Sequence, residues 1–136
     1  MAVVVLDSDV LIGFLNANDA HHADAVALVR DSLTPGTRRM MSAVNYSEIL
    51  IGPIKAGKTA RDHVEGMLVN FAIEIIGVDG ALARRAAAVR ARTGLQLPDA
   101  YALATAIQAE HNGHDDVRLA SFDKAVLRAH ADLHPN

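Results

Sequence analysis

The chain has 136 residues, a formal net charge of −3, 51% hydrophobic and 4% aromatic residues, and no cysteine. That length suits one domain over residues 1–136, and the missing cysteines exclude disulfides and thiolate metal sites and fit a reducing cytosol. The slight acidity argues against a module that grips nucleic acid by basic charge alone, and scarce aromatics with abundant alanine favour packed helices over a β-sandwich.

Ala2 to Leu6 is a continuous Val-rich run, which reads as a central parallel strand, and Asp7-Ser8-Asp9 bounds it. The opening MAVVVL is too short and too uncharged for a signal peptide, and no apolar run approaches the ~20 residues of a membrane span. Val10 to Asn16 reads as a helix with Ser8 or Asp9 as its N-cap. Ala20 to Leu33 is a second helix, stopped by Thr34-Pro35-Gly36, and Arg39 to Ser42 a short strand. Ala43 to Ile54 sets Ala43, Tyr46, Leu50 and Ile54 on one helical face. Thr59 to Phe71 is a helix, and Ala72 to Ile76 a strand. Gly80 to Thr93 and Asp99 to His111 are alanine-rich helices separated by Gly94-Leu95-Gln96-Leu97-Pro98. Val117 to Ala120 is the last strand, and Phe122 to His130 the last helix. Strands alternating with helices predict a layered α/β fold with a mainly parallel sheet of about four strands.

Four acids occupy strand ends or helix starts. Asp7 follows the first strand, Asp99 follows Pro98 and opens an apolar helix, and Asp123 follows VRLA across Ser121 and Phe122. Glu48 lies inside the helix after the second strand. Functional groups of open α/β sheets gather beyond the carboxyl ends of the strands, where these four can meet. Clustered carboxylates repel one another, and a hard divalent cation such as Mg²⁺ or Mn²⁺ offsets that cost. Taken singly each acid has a plainer explanation: a cap for Asp7 and Asp123, a first-turn helix acid for Asp99, a solvated residue for Glu48. Asp115 and Asp116 compete with Asp123 for the fourth place.

The segments VVVLDSDVLIGFL, SAVNYSEILIG, LQLPDAYALATAI and LASFDKAV, in this order, span nearly the whole chain. Together they resemble the PIN-domain family, and most of all its VapC-type toxin ribonucleases from bacterial toxin–antitoxin pairs. The resemblance implies a PIN-like α/β fold and an acidic pocket for Mg²⁺ or Mn²⁺. It implies an endoribonuclease that cleaves RNA with a metal-activated water. It also implies a homodimer and a small VapB-like antitoxin partner. Carried over by position, Asp7, Glu48, Asp99 and Asp123 are the catalytic and metal-binding acids, Glu48 through a water. Ser8 and Ser121 match small hydroxyl positions that orient an acid or a water. A final edge strand, common in the family, is expected to be short or missing at Leu133–Asn136. Arg84, Arg85, Arg90 and Arg92 before Asp99, and Lys124 beside Asp123, are basic groups available to RNA or simply solvated.

Other patterns compete. Asp7-Ser8-Asp9 after a hydrophobic strand also suits a haloacid-dehalogenase-like phosphatase, with Asp9 as acid–base; that reading leaves Glu48 unexplained, and Asp9 serves better as a helix cap. GPIKAGKT, from Gly52 to Thr59, matches the phosphate-binding loop pattern, which needs a strand before it; a helix is expected there instead. His111 with His114, and His21 with His22, lack a third ligand and read as surface histidines. A PIN-like RNA-processing or RNA-binding protein without an antitoxin is the remaining alternative.

Overall fold

The computed structural model describes residues 2–133. Four strands, β1 (Ala2–Leu6), β2 (Thr37–Ser42), β3 (Ile73–Ile76) and β4 (Asp116–Ala120), form one sheet in the order β3-β2-β1-β4. Every pairing is parallel, with Leu6 opposite Ala120 and Val5 opposite Met40. Among the described residues seven helices accompany them: α1 (Ser8–Leu15), α2 (His22–Ser32), α3 (Ala43–Ala56), α4 (Lys58–Asn70), α5 (Gly80–Thr93), α6 (Leu97–His111) and α7 (Lys124–Leu133). Each expected element is present, with ends displaced by up to about three residues, within the usual fraying of such boundaries. Residues 134–136, on which the expectation for a final edge strand largely rests, lie outside the described residues.

Side chains of a strand alternate between its faces. In β1, Val3 and Val5 therefore join one core with Leu82, Val89, Leu103 and Val126, on the side of α5, α6 and α7. Val4 and Leu6 join the other, with Leu11, Val29, Ile49 and Leu68, on the side of α1 to α4. The sheet is thus buried on both faces, which is why its central strand is uninterrupted Val and Leu. Helix α6 packs on α5, α7, β1, β2 and β4. Alanines at 100, 102, 104, 106 and 109, all buried, let its backbone approach these neighbours closely.

Because all strands run the same way, their carboxyl ends share one edge. The chain passes from β1 to β2 on one side and reaches β4 on the other side of β1. The switch of direction lies between β1 and β4, where an open α/β sheet leaves a crevice. Asp7 and Ser121 follow those two strands directly.

Candidate active site

Asp7 stands where strand becomes helix. Its N–H donates to the Ala120 carbonyl at 2.9 Å, extending the ladder by one residue. Its backbone is still extended, and its Oδ1 accepts from the Ser8 N–H at 2.8 Å, so Asp7 itself is the N-cap of α1. Of the three caps the sequence offers, Ser8 and Asp9 are already helical, because the strand ends abruptly at Leu6. Asp7 Oδ2 accepts from the Ser121 hydroxyl at 2.9 Å. The side chain is almost wholly buried. Burial, reinforced by the charges of Asp9 and Asp99, pushes its pKa up to about 7 despite the hydrogen bonds from Ser121 and Ser8.

Asp9 faces the same turn. Its Oδ2 accepts from the Phe122 N–H at 3.0 Å and lies 3.4 Å from the Ser121 hydroxyl. Its Oδ1 is buried and has no hydrogen-bond partner among the described residues. Burial raises the Asp9 pKa, as does the Asp123 charge. Asp123 in turn donates its N–H to Ser121 Oγ at 3.0 Å and caps α7, accepting from the Ala125 N–H at 2.9 Å. One serine hydroxyl thus ties the ends of β1 and β4 together.

Asp99 lies in the first turn of α6, just after Pro98, and is half-buried. Its pKa is raised by burial first, then by the charges of Asp123, Asp9 and Glu48. Glu48 is held from α3 by a neighbour that the sequence alone does not single out. Asn45 is fully buried, and its Nδ2 donates to Glu48 Oε1 at 3.3 Å and to the Pro98 carbonyl at 3.0 Å. Its backbone N–H and Oδ1 are both engaged by Ser42 Oγ, the N-cap of α3, at 3.1 and 2.5 Å. Ser42, Asn45 and Glu48 recur every three residues on one helical face, a spacing that could have exposed the network.

The structure therefore brings Asp7, Glu48, Asp99 and Asp123 into one electrostatic cluster and adds Asp9, which the sequence reading assigns to capping. Asp116 is excluded: it pairs with Ala2 at the amino end of β4, about 13 Å of strand from Ala120, and bonds Arg118 at 3.3 Å. Among the described residues no three His, Cys, Asp or Glu side chains converge tightly enough to enclose an ion as they stand. The acids share a field, not a closed ligand shell. The donor set, all carboxylate oxygen with one buried oxygen unpartnered, nonetheless fits a hard cation.

The remaining patterns resolve simply. Gly52 to Thr59 straddles the end of α3 and the start of α4, with no strand before it, so the phosphate-loop pattern is a helix–turn–helix. His22 Nδ1 bonds the Gly13 carbonyl at 2.8 Å, and His21 stacks on Phe122 with ring centroids 4.7 Å apart. Arg90 donates to the Leu95 carbonyl at 2.7 Å and braces the loop before α6.

Comparison with known proteins adds the lineage. None of the curated protein sequences matches the chain. Several solved structures share its fold. VapC20 of Mycobacterium tuberculosis, described as a toxin that cleaves the sarcin–ricin loop, superposes with a TM-score of 0.65 at 19% identity, covering 88% of this chain and 91% of that one. VapBC-1 of nontypeable Haemophilus influenzae gives 0.66 at 15% identity, over 96% and 94%. A toxin–antitoxin complex from Klebsiella pneumoniae gives 0.63 at 23% identity, over 88% and 86%. The PIN domain family model matches residues 4–132, which also decides against the phosphatase reading. On this match, spanning nearly every element from β1 to α7, the chain belongs to the PIN domain family.

Proposed function

We propose that the chain is a divalent-metal-dependent endoribonuclease and the toxin of a type II toxin–antitoxin pair. The observation that carries the reading is the meeting of Asp7, Asp9, Glu48, Asp99 and Asp123 at the switch point of a PIN fold, with Asp7 buried and its pKa raised to about 7. A buried acid so perturbed among like charges is a mark of a working site more than of a structural one.

Asp7, Asp99, Asp123 and Glu48 would hold Mg²⁺ or Mn²⁺, and Asp9 Oδ1 supplies a further unengaged oxygen. When bound, the cation supplies Lewis acidity at a phosphodiester and lowers the pKa of a water. The protein's contribution is orientation. Ser8 and Ser121 fix both oxygens of Asp7. Asn45 aims Glu48 and anchors Pro98, and so the turn that carries Asp99. Ser121 sets the backbone of Asp123. No histidine is needed, and among the described residues none belongs to the cluster.

The antitoxin, a VapB-like small protein, and a homodimeric state are part of the proposal. They are supported by the likeness to toxin–antitoxin complexes and by Ile51, Ile54 and Val69 on α3 and α4, exposed by 56, 56 and 77%. Among the described residues no helix is long and apolar enough to cross a membrane; a cytoplasmic setting is proposed with the toxin role.

The test is incubation with structured RNAs, with and without Mg²⁺ or Mn²⁺, of the wild type, Asp7→Asn and Asp99→Asn. Metal-dependent cleavage lost in both variants is expected. Cleavage without metal, or full activity in both, refutes the mechanism. Cleavage that no small protein from a neighbouring gene inhibits keeps the nuclease and removes the toxin role.

A further inference from the structure

Resting on the ribonuclease reading, the geometry points to a phosphate-binding track for single-stranded RNA along the groove that α5 forms first with α7 and then with α6, built on Arg85, Arg92 and Arg128. The chain is acidic as a whole, yet six of its 13 lysines and arginines lie on these two helices: Arg84, Arg85, Arg90, Arg92, Lys124 and Arg128. Helix α5 contains no acid to neutralise them. Among the described residues none of the six forms an ion pair, whereas Arg38, Lys58, Arg61 and Arg118 are all paired with carboxylates. A basic face that an acidic chain leaves unneutralised attracts polyanions.

The shape is as informative as the charge. Arg92 and Arg128 line one cavity of about 340 Å³, with Leu95 and Ala125 in its wall. Arg92 also lines a second, of about 190 Å³, with Arg85 and His111. Arg92 is shared, so the two cavities adjoin. Arg85 and Arg92 are two helical turns apart on one face of α5, roughly 10.5 Å. Arg85 Nε is buried in that wall and donates to no acceptor among the described residues. A phosphate laid into this second cavity would pair with the guanidinium of Arg85 or Arg92, both of which line it. Asp132, in the first cavity, is the single acid lining either one.

The track leads to the acids. Ala125 lies two residues beyond Asp123, and Leu95 four before Asp99, so one end of the cleft opens beside the cluster. A strand whose backbone follows Arg85, Arg92 and Arg128 arrives at the carboxylates with its phosphates already aligned. Arg90, spent on the Leu95 carbonyl, is a brace in this arrangement and holds no phosphate. An acidic polypeptide is the other polyanion the cleft would attract; the cleft's opening beside the carboxylate cluster, proposed to act on phosphodiesters, favours RNA.

The experiment compares wild type with Arg85→Gln, Arg92→Ala/Arg128→Ala and Arg92→Lys/Arg128→Lys. Anisotropy of a short labelled single-stranded RNA is followed across a salt series, with KM and kcat for a longer RNA in Mn²⁺. The alanine pair should bind several-fold more weakly, and its plot of log affinity against log salt should flatten by about 0.7 for each phosphate no longer neutralised. KM should rise with kcat nearly unchanged. The lysine pair, which keeps the charge, should recover most of the salt slope and so separate charge from packing. Wild-type affinity and slope in the alanine pair and in Arg85→Gln, beside normal cleavage, overturn the track and leave the nuclease standing. Failure of the wild type to bind the single-stranded RNA overturns the track; failure to cleave any RNA in Mn²⁺ overturns the nuclease as well. Binding of poly-glutamate in preference to RNA assigns the cleft to an acidic partner and overturns the RNA track.

Discussion

Asp7 carries a cost in stability that its proposed role as a metal-binding acid would explain. In the unfolded chain its carboxyl ionises near 3.8, in the folded protein near 7. Between those values the folded state holds a proton that the unfolded state has lost, so stability falls as pH rises through the window and the penalty is complete above 7. Asp7→Asn removes the charge while keeping an acceptor for Ser8. In chelator, the variant should melt higher than wild type above pH 7, its added stability at most about 4 kcal/mol. The difference should vanish below 3.8, and the same variant should not cleave RNA. Thermal melts across pH check the sign, and a wild type that gains stability as pH rises through the window contradicts it.

Asn45 is the second residue on which the site turns. Asn45→Ala leaves the Pro98 carbonyl without its side-chain donor and Glu48 without its tether. A cost of about 1–3 kcal/mol is expected from the buried polar group left unpaired. Activity should fall further than stability accounts for, with kcat affected more than KM. Melting and steady-state kinetics at a temperature where the variant is fully folded separate the two.

At the level of elements, helix packing transmits into the site. Gly13 sits within α1 where a Cβ would lie 3.3 Å from Ala25 Cβ and 3.6 Å from the Phe122 ring. Glycine costs a helix roughly 1 kcal/mol relative to alanine, so its place here follows from the close approach of α1 to α2. Gly13→Val should destabilise by about 1–3 kcal/mol through overpacking. Because the displaced Phe122 precedes Asp123, metal affinity should fall too; titration of Mn²⁺ by calorimetry is the check.

The elements are legible because this fold obeys local rules. Val3 to Leu6 suits only a doubly covered strand, and the alanines of α6 only a buried helix. Where one residue decides the outcome the sequence is less plain. Asp7, Ser8 and Asp9 are each good caps, and which one serves depends on where the β1–β4 ladder ends, a pairing across the length of the chain. Asp9 reads as a cap because nothing local says that it faces the Phe122 amide. Asn45 is only half legible: its spacing from Ser42 and Glu48 is visible in the sequence, but its third partner, the Pro98 carbonyl at the start of α6, lies 53 residues away. Asp116 and Asp123 stand in equally good local settings, and only the direction of β4 separates them.

At the scale of the whole molecule, the acids set a balance between self-repulsion and ligand binding. A divalent cation at about 100 times its dissociation constant should stabilise the folded state by roughly 2.7 kcal/mol through mass action. Since ionised carboxylates bind it best, the pH dependence should invert: stability falls with rising pH in chelator and rises in saturating Mn²⁺. Calorimetric scans in the two buffers test this directly. Parallel curves show that the acids do not act as one metal site.

The bond between the Ser121 hydroxyl and Asp7 spans 114 residues of sequence. On a ribosome the two partners emerge far apart in time, at about 5–20 residues per second. A nascent chain cannot close the β1–β4 seam, or cap α1 against it, until Ser121 has left the exit tunnel. The meeting of Asp7, Asp9 and Asp123 at this seam is therefore a late event of synthesis, set by the last strand and not by the residues that open the chain.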